Sequence, residues 1–306
     1  MTVRALTHEA PSIPAVETER ALVPRRVAIP ATDGVKLGGY VHAPRGEARL
    51  SALILPGIGV PQRVFRHFAG WLARNGVRAV TVDYRGMGES LREGHAGATL
   101  SIWASRDAVG ALRFAETFGA PVVLVGHSFG GQLLGFSDEF RRVRAAVLVG
   151  SQFGQARHWD GFARLRIAAY WRLILPAATT FFESVPGWTG LGEALPRGVA
   201  REWARWGRTY DWLLPHVDGA RERYRAFDRP IRAYAMQDDA IAPPRSIADL
   251  LARFESSHVD RRDLAPSDLG LKKLGHLGLF RPGPTQRIWR EILDFAVENA
   301  DPTTPR

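Results

Sequence analysis

Short apolar runs rich in β-branched residues recur along the chain, and between them the apolar positions fall at helical spacing. Arg26-Val27-Ala28-Ile29 and Val35 to Val41 flank Thr32-Asp33-Gly34, and an Asp-Gly between two such runs predicts an antiparallel hairpin at one edge of a sheet. Leu50 to Leu55 reads as a buried strand ended by Pro56-Gly57-Ile58-Gly59. Val64, Phe65, Phe68, Trp71 and Leu72 then predict a helix that Asn75-Gly76 stops. The strand expected over Val77 to Val82 leads into the loop Asp83-Tyr84-Arg85-Gly86-Met87-Gly88-Glu89-Ser90. A long helix is predicted over residues 99–118, a strand over Val122 to Val125, a helix from Phe129 and a strand over Val143 to Val149. Further on, Pro230 to Met236 and Val259 to Leu264 read as strands, with a helix opened by Pro243-Pro244 between them and a last helix from about Pro284. Strands that alternate with helices and are apolar throughout imply a mostly parallel sheet covered on both faces, an α/β core.

The alternation breaks between Phe153 and Asp228. This stretch is dense in aromatics, among them Phe153, Trp159, Trp171, Trp188, Trp206 and Trp212, and has turn signals at Pro176, Pro186-Gly187, Pro196 and Pro215. With no convincing β run it predicts a helical cap over the carboxyl ends of the strands. Its aromatics either form the cap's own core or line a substrate cavity beneath it. The expected organisation is a proline-bearing extension over residues 1–24, a core built from 25–152 and 229–306, and the cap over 153–228.

The 306 residues suffice for one large core with an insertion, and the absence of cysteine excludes disulfides, thiolate metal sites and cysteine nucleophiles. The net charge of +10 is carried by arginines spread along the chain; only Lys36, Lys272 and Lys273 are lysines. With no dense basic run, that charge implies solvation rather than nucleic-acid binding. No signal peptide and no membrane-spanning apolar run is visible, so a cytoplasmic protein is expected. The isolated histidines lack metal-ligand spacing, and Gly86-Met87-Gly88 lacks a nucleotide fingerprint, so neither metal nor cofactor is expected.

The candidate chemistry centres on Gly126-His127-Ser128-Phe129-Gly130. A Gly-x-Ser-x-Gly pattern directly after a strand predicts a sharp turn that presents the serine hydroxyl at the top of the sheet. A serine needs a base and a group to orient that base. His276, in a glycine-flanked loop after the last strand, is the candidate base. Asp239 is the candidate orienter, with its neighbour Asp238 competing, since adjacent strand-end residues point opposite ways. The N–H of Phe129, at a helix start, and that of Ile58, or of Gly59 beside it, are the candidate oxyanion donors. His127 is expected to point away from the site. Asp83 and Arg85 are expected to pair with each other or to fix nearby backbone.

On these motifs the chain resembles the α/β-hydrolase superfamily from about Arg25 to Phe295, in particular its serine-aminopeptidase-like and monoglyceride-lipase-like members and a bacterial α/β-hydrolase branch. The resemblance rests on Leu55-Pro56-Gly57, the Asp83 to Ser90 loop, the Ser128 elbow, Asp239-Ala240-Ile241-Ala242-Pro243 and Gly275-His276. It implies an eight-stranded, mostly parallel sheet whose second strand is antiparallel, with a lid between the sixth and seventh strands. Many relatives have His-Gly where this chain has Pro56-Gly57. The function implied is a serine hydrolase cleaving esters of small or medium apolar substrates. The alternatives are a peptidase, thioesterase or acyltransferase using the same residues, or a non-catalytic ligand-binding or scaffold protein. Oligomeric state is left open.

Overall fold

The computed structural model describes residues 22–300 apart from 93, 94 and 191, so the extension expected over residues 1–24 lies almost wholly outside the described residues. The strands in chain order are β1 (Arg25–Pro30), β2 (Lys36–His42), β3 (Ser51–Leu55), β4 (Arg78–Val82), β5 (Val122–His127), β6 (Ala145–Val149), β7 (Ser184–Val185), β8 (Leu195–Pro196), β9 (Ile231–Met236) and β10 (Val259–Leu264). Eight of them form one sheet in the order β1-β2-β4-β3-β5-β6-β9-β10. β2 runs antiparallel to β1 and to β4, and every other neighbouring pair is parallel. The hairpin at the sheet edge and the α/β core are as the sequence predicts.

β3, β5 and β6 are buried at every position, which is why their sequences are continuously apolar rather than alternating. The period of two survives in which core each residue joins. Leu124 packs with Leu53, Leu55 and Trp103 on one face of the sheet, while Val123 and Val125 pack with Phe68, Phe280 and Trp289 on the other. Each such side chain contributes about 1.5–3 kcal/mol by leaving water, so the middle of the sheet is the most strongly held part of the molecule. Helices Arg66–Arg74 and Gln286–Ala300 supply the second of these layers, and helix Val109–Glu116 part of the first. The long helix expected over residues 99–118 is present with a π-helical segment, Trp103–Ala108, in its middle.

A large helical insertion separates β6 from β9, the sixth and seventh strands of the sheet in chain order. Residues 161–181 form a helical run interrupted by a π turn over Tyr170–Ile174, followed by helices Arg197–Gly207 and Ala220–Ala226. The insertion also contains the antiparallel pair β7 and β8, which corrects the reading of this stretch as free of strands. Strands of two residues are too short to show alternation, and the Pro186-Gly187 turn between them reads as loop.

Indole N–H groups key the insertion onto the core. Trp159 Nε1 donates to the Ala240 carbonyl at 3.0 Å and Trp212 Nε1 to Gln132 Oε1 at 3.0 Å, while Trp171 Nε1 donates within the insertion to the Gly154 carbonyl at 2.9 Å. Trp171, Trp206 and Trp212 are buried and meet edge-on, and Trp206 also packs against Phe129 and Phe136, so these aromatics join the cap to an apolar layer of the core that reaches the residue after Ser128.

Candidate active site

β5 ends at His127, and a single residue turns the chain into helix Phe129–Gln132. That residue, Ser128, takes φ 53° and ψ −115°, a conformation costing a non-glycine residue on the order of 1–3 kcal/mol. The surroundings over-determine it. The Ser128 N–H donates to the Val149 carbonyl at 2.9 Å, and the Gly131 N–H donates to the Ser128 carbonyl at 3.2 Å. A Cβ on Gly126 would lie 2.5 Å from the Gly131 nitrogen, and one on Gly130 would strike the Leu55 carbonyl. Those two approaches are what the flanking glycines permit.

The two adjacent aspartates after β9 divide their work. Asp239 Oδ2 accepts from His276 Nδ1 at 2.6 Å, while its Oδ1 accepts from the N–H groups of Ile241 at 2.8 Å and Ala242 at 3.0 Å. Asp238 accepts instead from the N–H groups of Leu274 and Gly275, both at 2.9 Å, and so pins the loop that carries the histidine. With Nδ1 as donor, His276 Nε2 is left as the free acceptor.

The serine hydroxyl is turned to a different partner from the histidine. Ser128 Oγ lies 3.5 Å from Gln152 Oε1, and among the described residues no hydrogen bond joins it to His276. A Cβ on Gly150, next to the Val149 carbonyl that holds Ser128, would sit 3.1 Å from His276 Cε1. His127, expected to point away, instead lies under the histidine loop. Its Nε2–H donates to the His276 carbonyl at 3.0 Å, and the two rings are 4.6 Å apart. Burial, with the His276 ring beside it, holds His127 well below the ordinary imidazole pKa, so it is a neutral support.

Phe129 N–H stands at the start of its helix, where first-turn amides have no partner within the helix. The loop carrying Ile58 passes directly beside the serine: a Cβ on Gly57 would lie 2.9 Å from Ser128 Cβ and 3.0 Å from His127 Nδ1. Tyr84 Oη steadies this loop by donating to the Pro56 carbonyl at 3.2 Å. Asp83 ties the next part of it to the loop after β4, accepting from the N–H groups of Gln62 at 2.7 Å and Glu89 at 2.9 Å. Burial raises the Asp83 carboxyl's pKa, and those two bonds oppose the rise. Arg85 does not meet Asp83; its guanidinium pairs with Asp33 at 2.8 Å and with Asp107 at 2.6 Å.

Gln152, absent from the sequence-based site, is the one side chain bonded to Ser128 among the described residues. Gln132 Nε2 donates to its carbonyl at 2.7 Å, and Trp212 fixes Gln132 in turn, so a polar chain runs from the cap to the serine. Its position just past the end of β6, beside the elbow strand, was the available signal. A separate cleft of about 760 Å³ lies between the loops after β3 and β4 and cap residues around Trp188; its walls include Gln62 and Asp83 but not Ser128, Asp239 or His276. Among the described residues no cluster of side chains has the make-up of a metal site.

No curated protein sequence matches this chain. Solved structures do. A soluble variant of monoglyceride lipase from Saccharomyces cerevisiae, in complex with a substrate analog, is 16% identical, with a TM-score of 0.65 over 90% of this chain and 95% of that one. Est1E from Butyrivibrio proteoclasticus, with ferulic acid bound, is 14% identical, with a TM-score of 0.59 over 90% of this chain and 98% of that one. A thermophilic esterase from Thermogutta terrifontis is 17% identical, with a TM-score of 0.57 over 91% of this chain and all (100%) of that one. At these identities the likeness is one of fold. The profile described as "Alpha/beta hydrolase family" matches residues 52–285, from β3 to the start of the last helix, and the chain is therefore an enzyme of the alpha/beta hydrolase family.

Proposed function

We propose that this enzyme cleaves carboxylic esters of small or medium apolar substrates through an acyl-enzyme on Ser128. The observation that carries the reading is a serine held in a strained turn at the end of β5, beside a histidine whose Nδ1 is bonded at 2.6 Å to a buried carboxylate. The Ser128 hydroxyl leaves Gln152 by rotation about its Cα–Cβ bond and gives its proton to His276 Nε2 as Oγ attacks the ester carbonyl. The N–H groups of Phe129 and Ile58 receive the oxyanion. His276 then protonates the departing alcohol, the acyl group remains on Oγ, and a water molecule deprotonated by the same nitrogen releases the acid. Asp239 holds the imidazolium throughout. The relatives named above as a lipase and an esterase support ester chemistry, and the aromatic insertion supports an apolar substrate.

The test is hydrolysis of p-nitrophenyl esters from acetate to decanoate by the wild-type and Ser128→Ala proteins. A rate with an optimum at one chain length that disappears in Ser128→Ala is the expected result. Equal rates for the two folded proteins on every ester would overturn the reading.

A further inference from the structure

The cap helix over residues 161–181 is anchored through its second half only, and none of Gly161–Ala169 is buried. Trp171, Leu175, Ala178 and Thr179 face the protein, whereas Phe162 is 75% exposed, Leu165 67%, Leu173 66%, Ile174 48% and Phe181 80%. Phe162, Leu165, Ala169, Leu173, Ala177 and Phe181 recur every three or four residues, so the exposed apolar groups form a stripe along the helix. Trp188, 77% exposed, extends this face through its edge contact with Phe182. Of the eleven large apolar side chains exposed among the described residues, seven lie between 162 and 188.

The charge on this face has one sign. Residues 161–181 contain Arg164, Arg166 and Arg172 and no acidic residue. All three arginines are exposed, and none pairs with a carboxylate among the described residues. The bracketing acids are Asp160, which pairs with Arg245, and Glu183 beyond the helix end. A second copy related by a two-fold axis would bring the same arginines together, which opposes self-association through this face. An amphipathic helix with aromatic and aliphatic residues on its apolar face and unpaired arginines beside it has the chemistry of a helix lying in an anionic lipid interface. No helix among the described residues is long and apolar enough to cross a membrane, so the contact is peripheral.

We propose that the cap docks on anionic lipid surfaces through the exposed face of residues 161–181, with Trp188 at its rim. Apolar insertion and charge attraction act together there, and the surface holds the cap and the site beneath it against the lipid. The proposal does not depend on the serine chemistry.

The experiment is co-sedimentation of the full chain with vesicles of phosphatidylcholine alone and of phosphatidylcholine with phosphatidylglycerol. Binding is expected to the mixed vesicles, to fall with salt, and to be the same for Ser128→Ala. The variant Phe162→Glu/Leu173→Glu/Phe181→Glu should lose at least about tenfold in partitioning, as should Arg164→Gln/Arg166→Gln/Arg172→Gln. Every substituted residue is exposed, and circular dichroism checks that both variants remain folded. No binding to the mixed vesicles would overturn the proposal, and so would binding by the glutamate variant equal to wild type, since the overall charge would then suffice. A wild-type dimer in sedimentation velocity that the glutamate variant disperses would also overturn it, assigning the face to a second copy.

Discussion

The sheet and the insertion above it use the same kinds of side chain to opposite ends. In β5 and β6 every apolar residue is inside, because a parallel strand flanked by helices has no outer face. In the cap, Trp171 is buried and Trp188 is 77% exposed, so identical residues serve a core in one place and a surface in the other. The sheet is held by backbone ladders and by burial on both faces. The cap is held by indole N–H bonds, by Tyr224 and Arg223 on the Gln132 and Gly135 carbonyls, by Glu202 on Ser101, by Arg157 on Asp249, and by apolar side chains that join one cluster of the core. The difference teaches that burial in the sheet follows from strand geometry, whereas in the cap it is decided position by position.

The largest effect that tests this division lies in the core. Asp239→Asn places an amide against His276 Nδ1 and disfavours the tautomer with Nε2 free, so kcat for ester hydrolysis should fall by about 10⁴-fold, the size seen for this change in serine triads. Asp238→Asn keeps one acceptor for the loop and turns an NH₂ toward the other backbone donor. It should lower kcat about tenfold, with KM nearly unchanged, because it acts only through the position of His276. Steady-state kinetics on one ester separates the two. Equal losses would break the division of work between the neighbouring aspartates.

A smaller effect tests how the cap is keyed to the core. Trp212→Phe removes the N–H that Gln132 Oε1 accepts and leaves that oxygen unpaired among buried neighbours. The cost should be about 1–3 kcal/mol, which for a chain of this size lowers Tm by about 1–2 °C per kcal/mol. The loss should concentrate in the cap: limited proteolysis is expected to cut faster within the insertion while the core fragments persist. Cleavage spread evenly through the chain would show that cap and sheet unfold together.

How far the sequence reached follows the same line. The turn at Ser128 was legible because Gly126 and Gly130 are demanded by approaches within a few residues and to the adjoining β3, which a local pattern records. That one of two adjacent aspartates would meet the histidine followed from strand geometry. Which one did not, since Asp238 and Asp239 each find donors, and the choice depends on how the loop at Leu274 to His276 returns to the sheet. His127 and Gln152 were misplaced or missed for the same reason: their partners are a carbonyl 149 residues away and a serine in the turn after another strand. In the cap, nothing local distinguishes Trp171 from Trp188. Packing against Gly207 and the Gly154 carbonyl does so for Trp171, and those contacts are long-range.

A pH-dependent effect also separates the two regions. His42, at the end of β2, is 7% exposed, and burial pulls its imidazole from 6.5 down to about 4. The folded state therefore favours the neutral ring, whereas the unfolded chain takes up the proton near 6.5. The stability from this group is complete above about pH 6.5 and is lost as pH falls toward 4, up to about 3 kcal/mol. In the cap, His216 is also lowered by burial and by Arg205, but it is only half-buried and solvent screens much of the effect. Urea unfolding between pH 4 and 7 should thus show a steeper loss of stability on acidification for the wild type than for His42→Gln. His216→Gln should track the wild type closely. A remaining slope in His42→Gln is expected from His127, which is buried and lowered in the same direction. If His216→Gln flattened the acid limb more than His42→Gln, the cap rather than the sheet would carry the acid sensitivity.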